Sequence, residues 1–207
     1  MKKKIIVVDY GCGNIESIKR GFDYIEENCI ISNDVSEIKS ATHLILPGVG
    51  SFKNAINKLS LNNMNDLILN HHNYEKPLLG VCLGMQLFFN KSYEFGETKG
   101  LGIFEGEVVK LKSNNKKKYK IPNIGWYALE KNDANKHELE CLNMGKYYHV
   151  HSYYCKPDDK KNITHNINYD NEMICVSYKK NNVIGVQFHP EKSREAGLNL
   201  LKFFANM

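Results

Sequence analysis

Leu78-Leu79-Gly80-Val81-Cys82-Leu83-Gly84-Met85-Gln86 is a short apolar run that breaks at Gly-x-Cys-x-Gly and resumes with helix-favouring residues. Four apolar residues closed by such a break read as a buried strand. Glycines on both sides of Cys82 permit a cramped strand-to-helix turn, the thiol counterpart of a nucleophile elbow, which projects one side chain above the sheet. A helix N-terminus favours the thiolate, the form of cysteine that attacks carbon. Taken alone, the stretch also fits a structural cysteine wedged between two packing glycines.

Upstream, strand and helix patterns alternate. Ile5 to Tyr10 reads as a first strand. Ile15, Ile18, Phe22 and Ile25 recur at helical spacing behind a cap near Asn14. Strands are expected at 29–32 and 44–46, and helices at 34–40, 52–59 and 64–71. Alternation of this kind predicts a mostly parallel central sheet flanked by helices. From Leu101 onward short strands predominate, at 102–111, 147–153, 173–178 and 183–188, before a last helix at 193–206 with Leu198, Leu201 and Phe204 on one face. They predict additional short antiparallel strands. No internal repeat or linker interrupts the chain, so residues 1–207 are expected to form one α/β domain.

The bulk properties agree. A chain of 207 residues with 42% hydrophobic and 25% charged residues has an ordinary globular composition, which excludes wholesale disorder and fibrous structure. The net charge of +5 comes from scattered lysines and one cluster, Lys116, Lys117, Lys118 and Lys120. With one tyrosine and no arginine among them, these lysines read as a solvated loop rather than a nucleic-acid surface. No apolar run approaches the roughly 18 residues of a membrane span. Lys2-Lys3-Lys4 leads directly into the first strand, unlike a signal peptide, and a cytoplasmic location is expected. The six cysteines form no C-x-x-C pair and are expected to be reduced.

Two further stretches complete a candidate site. Gly185-Val186-Gln187-Phe188-His189-Pro190-Glu191 places a histidine just past an apolar strand, at the sheet edge where active sites gather. A cysteine nucleophile needs an imidazole to move its proton, and the imidazole needs an anion to orient it; Glu191 stands two residues on. Pro47-Gly48-Val49-Gly50-Ser51 is a glycine-rich loop whose main chain can approach a substrate closely. An N–H near Val49 or Gly50, with that of Leu83, would receive a developing oxyanion.

These motifs together resemble class I (triad) glutamine amidotransferases. With Asp9-Tyr10-Gly11-x-Gly13-Asn14, His151-Ser152-Tyr153 and His189-Pro190-Glu191-Lys192-Ser193, the likeness extends from Asp9 to Phe204 and is similar to the glutaminase subunits of imidazole glycerol phosphate synthase. The resemblance implies that Cys82 carries a γ-glutamyl thioester, that His189 is acid and base, and that Glu191 orients it. It also implies that Gly50, Gln86 and the backbone at His151, Ser152 and Tyr153 bind glutamine. Asn123, Trp126, Tyr148 and Lys192 match positions at a mouth or gate facing a partner, a (β/α)8 barrel synthase that receives the ammonia for histidine synthesis. No cofactor and no metal is implied.

The chain departs from that pattern in Pro122-Asn123-Ile124-Gly125-Trp126-Tyr127, where the family shows histidine and asparagine in place of Asn123 and Tyr127. A paralogue supplying ammonia to a surface-glycan sugar, and a stand-alone γ-glutamyl thiol hydrolase, remain open at this point. Gly11-x-Gly13 lacks the third glycine of a dinucleotide fingerprint. His71-His72 and His137-Glu138-Leu139-Glu140 lack partners at metal-ligand spacing and read as surface. Tyr147 to His151 alternates like a strand with its apolar face inward.

Overall fold

In a computed structural model, residues 3–61, 63–114, 119–132, 139–142 and 145–207 are described. Lys116–Lys118 and His137-Glu138 lie outside them. The first half runs β1 (Ile5–Val8), α1 (Ile15–Tyr24), β2 (Cys29–Ser32), α2 (Val35–Ser40), β3 (His43–Leu46), α3 (Phe52–Leu61), α4 (Met64–Asn73), β4 (Leu78–Val81) and α5 (Leu83–Leu87). The second half holds β5 (Phe89–Ser92), β6 (Thr98–Lys99), β7 (Phe104–Lys110), β8 (Asn123–Tyr127), β9 (Glu130–Lys131), β10 (Tyr147–His151), β11 (Tyr153–Pro157), β12 (Ile163–Tyr169), β13 (Glu172–Lys180), β14 (Val183–Val186) and α6 (Arg194–Ala205).

Five strands form a parallel core in the order β2-β1-β3-β4-β14. β13 and β11 continue the sheet antiparallel, followed by β7, β5 and β6; β12 flanks β13. β1, β3, β4 and β14 are buried along their whole length, which is why they read as continuous apolar runs. Their side chains still alternate. Ile6, Val8, Leu44 and Leu46 face a cluster with Ile38, Phe52, Leu59 and Leu67 of α2, α3 and α4. Ile5, Val7, Ile45, Leu79 and Val81 face Ile18, Phe22, Leu201 and Phe204 of α1 and α6. Helices therefore cover both faces, as expected.

Local details correct several expectations. Asp34 caps α2 by accepting the Glu37 N–H at 2.9 Å, but Asn14 makes no side-chain cap on α1, because its ψ of 60° lies outside the extended range that lets a cap side chain reach back. His71 is buried, not on the surface. Met64, Leu67, Ile68 and His71 form one inward stripe of α4, and the ring meets the Pro77 carbonyl at 3.0 Å. Leu139 likewise packs into the α1–α6 side of the core. The strand expected at 147–153 is two: β10 pairs with β8 in a separate two-stranded antiparallel sheet, and the chain crosses at Ser152 into β11 of the main sheet. The inward face of β10 is Tyr147, His149 and His151, so two of its three residues are polar. No helix among the described residues is long and apolar enough to cross a membrane.

The parallel order also gathers three loops at one place. β3, β4 and β14 lie side by side, so the segments leaving their carboxyl ends, at 47–51, 82–83 and 187–191, open on one edge of the sheet.

Candidate active site

Cys82 adopts φ 54° and ψ −109°, a left-handed conformation that costs a non-glycine residue on the order of 1–3 kcal/mol. Neighbouring packing imposes it. A Cβ on Gly84 would overlap the Leu46 carbonyl oxygen, and one on Gly80 would come within 2.5 Å of Phe88 Cε2, so α5 presses directly onto the ends of β3 and β4. The Cys82 N–H completes the sheet by donating to the Val186 carbonyl at 2.7 Å. α5 itself spans only five residues, so the dipole expected behind the thiol is small and local donors matter more.

His189 follows β14 and is 2% exposed. Its Nδ1 lies 2.8 Å from Glu191 Oε1, which fixes the ring and leaves Nε2 without a hydrogen-bond partner among the described residues. Burial pulls this imidazole down, but the influence of Cys82 and then of Glu191 outweighs it and lifts the ring to about 10. The histidine backbone is pinned too: its N–H donates to the Tyr148 carbonyl at 2.9 Å, and Ser193 Oγ donates to its carbonyl at 2.6 Å.

Cys82 and His189 open on a cleft of about 340 Å³, within the range of small-molecule sites. Val49, Gly50, Leu83, Gln86, His151, Ser152 and Tyr153 line it. All the residues expected at the thiol site therefore come together, with Glu191 behind His189. Tyr10 Oη donates to the Pro47 carbonyl at 2.7 Å and holds the glycine-rich loop from below. Burial draws His151 down to about 4, with its Nδ1 on the Tyr153 carbonyl at 2.9 Å, so this ring is neutral at pH 7.

Two residues of the site had no role in the sequence reading. Glu94 lines the cleft and receives the Phe52 N–H, at the start of α3, at 2.6 Å. Gln187 is fully buried and its Nε2 donates to Cys82 Sγ at 3.7 Å. A signal for Gln187 existed: a carboxamide inside Val183-Ile184-Gly185-Val186-Gln187-Phe188 must find a buried partner. Glu94, in a loop after a strand that was not foreseen, offered none.

The four residues expected at a gate divide. The Trp126 and Tyr148 rings are 5.6 Å apart, the Lys192 ammonium sits 5.7 Å from the Tyr148 ring, and the Arg194 guanidinium is 5.3 Å from that of Trp126. Asn123 differs: it is 1% exposed and its Nδ2 meets His151 Nε2 at 3.2 Å. Its Oδ1 and both ring nitrogens of His149 find no partner among the described residues.

The chain is similar to known proteins over nearly its whole length. The family model for glutamine amidotransferase class-I matches residues 6–206. A protein of Lactococcus lactis subsp. lactis named imidazole glycerol phosphate synthase subunit HisH is 42% identical over 202 residues, covering 98% of both chains. The protein of that name from Caldanaerobacter subterraneus subsp. tengcongensis is 44% identical over 203 residues, 97% of each. A crystal structure of a glutamine amidotransferase superposes with a TM-score of 0.74 at 15% identity, over 98% of this chain and 100% of the other, which speaks for the fold alone. The chain belongs to the class-I glutamine amidotransferases, among the relatives that carry the name imidazole glycerol phosphate synthase subunit HisH.

Proposed function

We propose that this chain is the glutaminase subunit of an imidazole glycerol phosphate synthase, cutting L-glutamine to glutamate and ammonia with Cys82, His189 and Glu191. The observation that carries the reading is His189 itself: Nδ1 is held by Glu191 at 2.8 Å while Nε2 is left free beside the only cysteine that lines the cleft among the described residues. Cys82, its proton passed to His189, adds through Sγ to the γ-carboxamide carbon, and the carbonyl electron pair moves to oxygen, facing the N–H groups near Gly50 and Leu83. His189 protonates the amine as the C–N bond breaks, leaving a γ-glutamyl thioester and ammonia. His189 then takes a proton from water, which attacks the thioester; the C–S bond breaks and glutamate leaves. Glu94 offers a carboxylate to the α-ammonium of glutamine, and Gln86 with the backbone of His151, Ser152 and Tyr153 forms the rest of the seat.

Ammonia released to water would be protonated and diluted, so the product passes to a separate acceptor enzyme, a (β/α)8 barrel synthase of histidine biosynthesis. Trp126, Tyr148 and Lys192 form the surface that meets it. Near-full-length relatives bearing the HisH name favour this acceptor over a surface sugar. Six free thiols are in keeping with the cytoplasm.

The test is glutamate release by the purified chain with and without its barrel partner. Turnover should rise on adding the partner and vanish in Cys82→Ala, while free ammonium should restore synthase product in the Cys82→Ala complex. Glutamate release surviving Cys82→Ala would overturn the thiol mechanism, and full turnover without a partner would favour a stand-alone hydrolase.

A further inference from the structure

The hydrogen bonds around the thiol extend one layer beyond the three residues of the mechanism. Gln86 Nε2 donates to the Tyr153 carbonyl at 3.1 Å and to Gln187 Oε1 at 3.0 Å, and Gln187 Nε2 donates to Cys82 Sγ at 3.7 Å. Chemistry dictates the direction of this chain. The Tyr153 carbonyl can only accept, so Gln86 must present its amine there; that amine in turn requires the oxygen of Gln187, which leaves the Gln187 amine at the sulfur. Gln187 is fully buried and Gln86 is 5% exposed, so water does not compete for these bonds.

We propose that Gln187 is a fourth catalytic residue, a fixed neutral donor that holds the Cys82 thiolate in line with the cleft and receives it again when the thioester is cleaved. This rests on the reading of Cys82 as the nucleophile. His189 cannot serve the sulfur throughout. It must carry its proton to the departing ammonia and then take one from water, whereas Gln187 titrates at no stage and is held by Gln86. In the second half-reaction the carbon–sulfur bond breaks with its electron pair going to Sγ, and an N–H already aimed at Sγ stabilises that charge. The five-residue α5 supplies little dipole for the same task, so the burden falls on this side chain.

The experiment is the rate of Cys82 alkylation by iodoacetamide across pH 5–10, together with kcat and KM for glutamine, on the full chain with its synthase partner. Gln187→Met keeps the volume and removes the donor. Its labelling midpoint should move up by about one pH unit and its kcat should fall about 10- to 100-fold, as for loss of one hydrogen bond to a charged group. Gln187→Glu should move the midpoint further in the same direction. An unchanged midpoint in a folded Gln187→Met, whatever its kcat, would show that Gln187 only packs and would overturn the assignment. If Gln187→Met does not fold, Gln187→Leu, which also removes the donor without adding charge, is read in its place, and an unchanged midpoint there overturns the assignment. Cys82→Ala separates the two claims: retained turnover there refutes the thiol mechanism, whereas a dead Cys82→Ala beside a normal Gln187→Met profile refutes Gln187 alone.

Discussion

Glu191 illustrates how one buried carboxylate sets the chemistry of a neighbour. It accepts from His189 Nδ1 at 2.8 Å, which leaves Nε2 as the nitrogen available in the cleft that Cys82 also lines. In Glu191→Gln the amide can donate instead of accept, the share of the raised His189 value that Glu191 adds to that of Cys82 is lost, and the wrong tautomer becomes available. The expected result is a fall in kcat on the order of 10²- to 10⁴-fold with KM for glutamine little changed, measured by glutamate release. A loss under about threefold would mean that Glu191 does not orient the ring. Cys82, His189 and Glu191 were readable from sequence because each sits in a local motif whose backbone path follows from its own glycines or proline. Gln187, Glu94 and the inward turn of Asn123 were less legible, because their roles depend on residues distant in sequence: Gln86 lies 101 positions from Gln187, and Phe52 lies 42 from Glu94.

The elbow joining β4 to α5 is the element on which the site depends, and it tolerates no side chain where the helix meets the sheet. A Cβ at Gly84 would overlap the Leu46 carbonyl oxygen and approach the Leu46 carbonyl carbon to 2.8 Å, both backbone atoms of β3 that cannot rotate away. Gly84→Ala should therefore exceed the usual overpacking cost and destabilise by about 3 kcal/mol or more, lowering Tm by roughly 6–12 °C for a chain of this size. Gly50→Ala is the comparison. It meets nothing within 4 Å, so only the backbone at φ +100° resists, at about 1–2 kcal/mol. Equal losses in the two variants, read by thermal unfolding, would refute the packing account. Buried parallel strands such as β4 and β14 were legible as apolar runs. β12 was not, because Ile163-Thr164-His165-Asn166-Ile167-Asn168-Tyr169 mixes polar residues into both faces, and its pairing to β13 carries register shifts. The break between β10 and β11 at Ser152 was hidden for another reason: the alternation runs on unbroken, and only the competing partners β8 and β7 divide it.

Across the whole molecule, buried histidines couple stability to pH. Burial is the leading cause in each: His71, His151 and His165 are drawn down to about 4, and His149 is pushed in the same direction. A group held neutral in this way stabilises fully above its ordinary value of 6.5 and loses that contribution as pH falls from 6.5 toward 4. His189 acts oppositely: raised to about 10, its contribution is complete below 6.5 and is lost as pH rises through 10. Stability should thus peak near neutrality. Between pH 7 and pH 5 the urea-unfolding free energy should drop by on the order of 1–2 kcal/mol for each buried neutral histidine, and His71→Gln should lessen the drop by one such share. A flat profile over that interval would contradict the assignment. The sequence by itself determined the parallel α/β frame, the thiol elbow and the histidine and carboxylate that complete it, because strand burial, glycine punctuation and short motifs are local properties of a chain. Tertiary structure alone decided that β3, β4 and β14 are neighbours, that the Gln86–Gln187 chain reaches the sulfur, and that His71, His149 and Asn123 are buried. These facts depend on which distant segments pack together, and no local pattern encodes that choice.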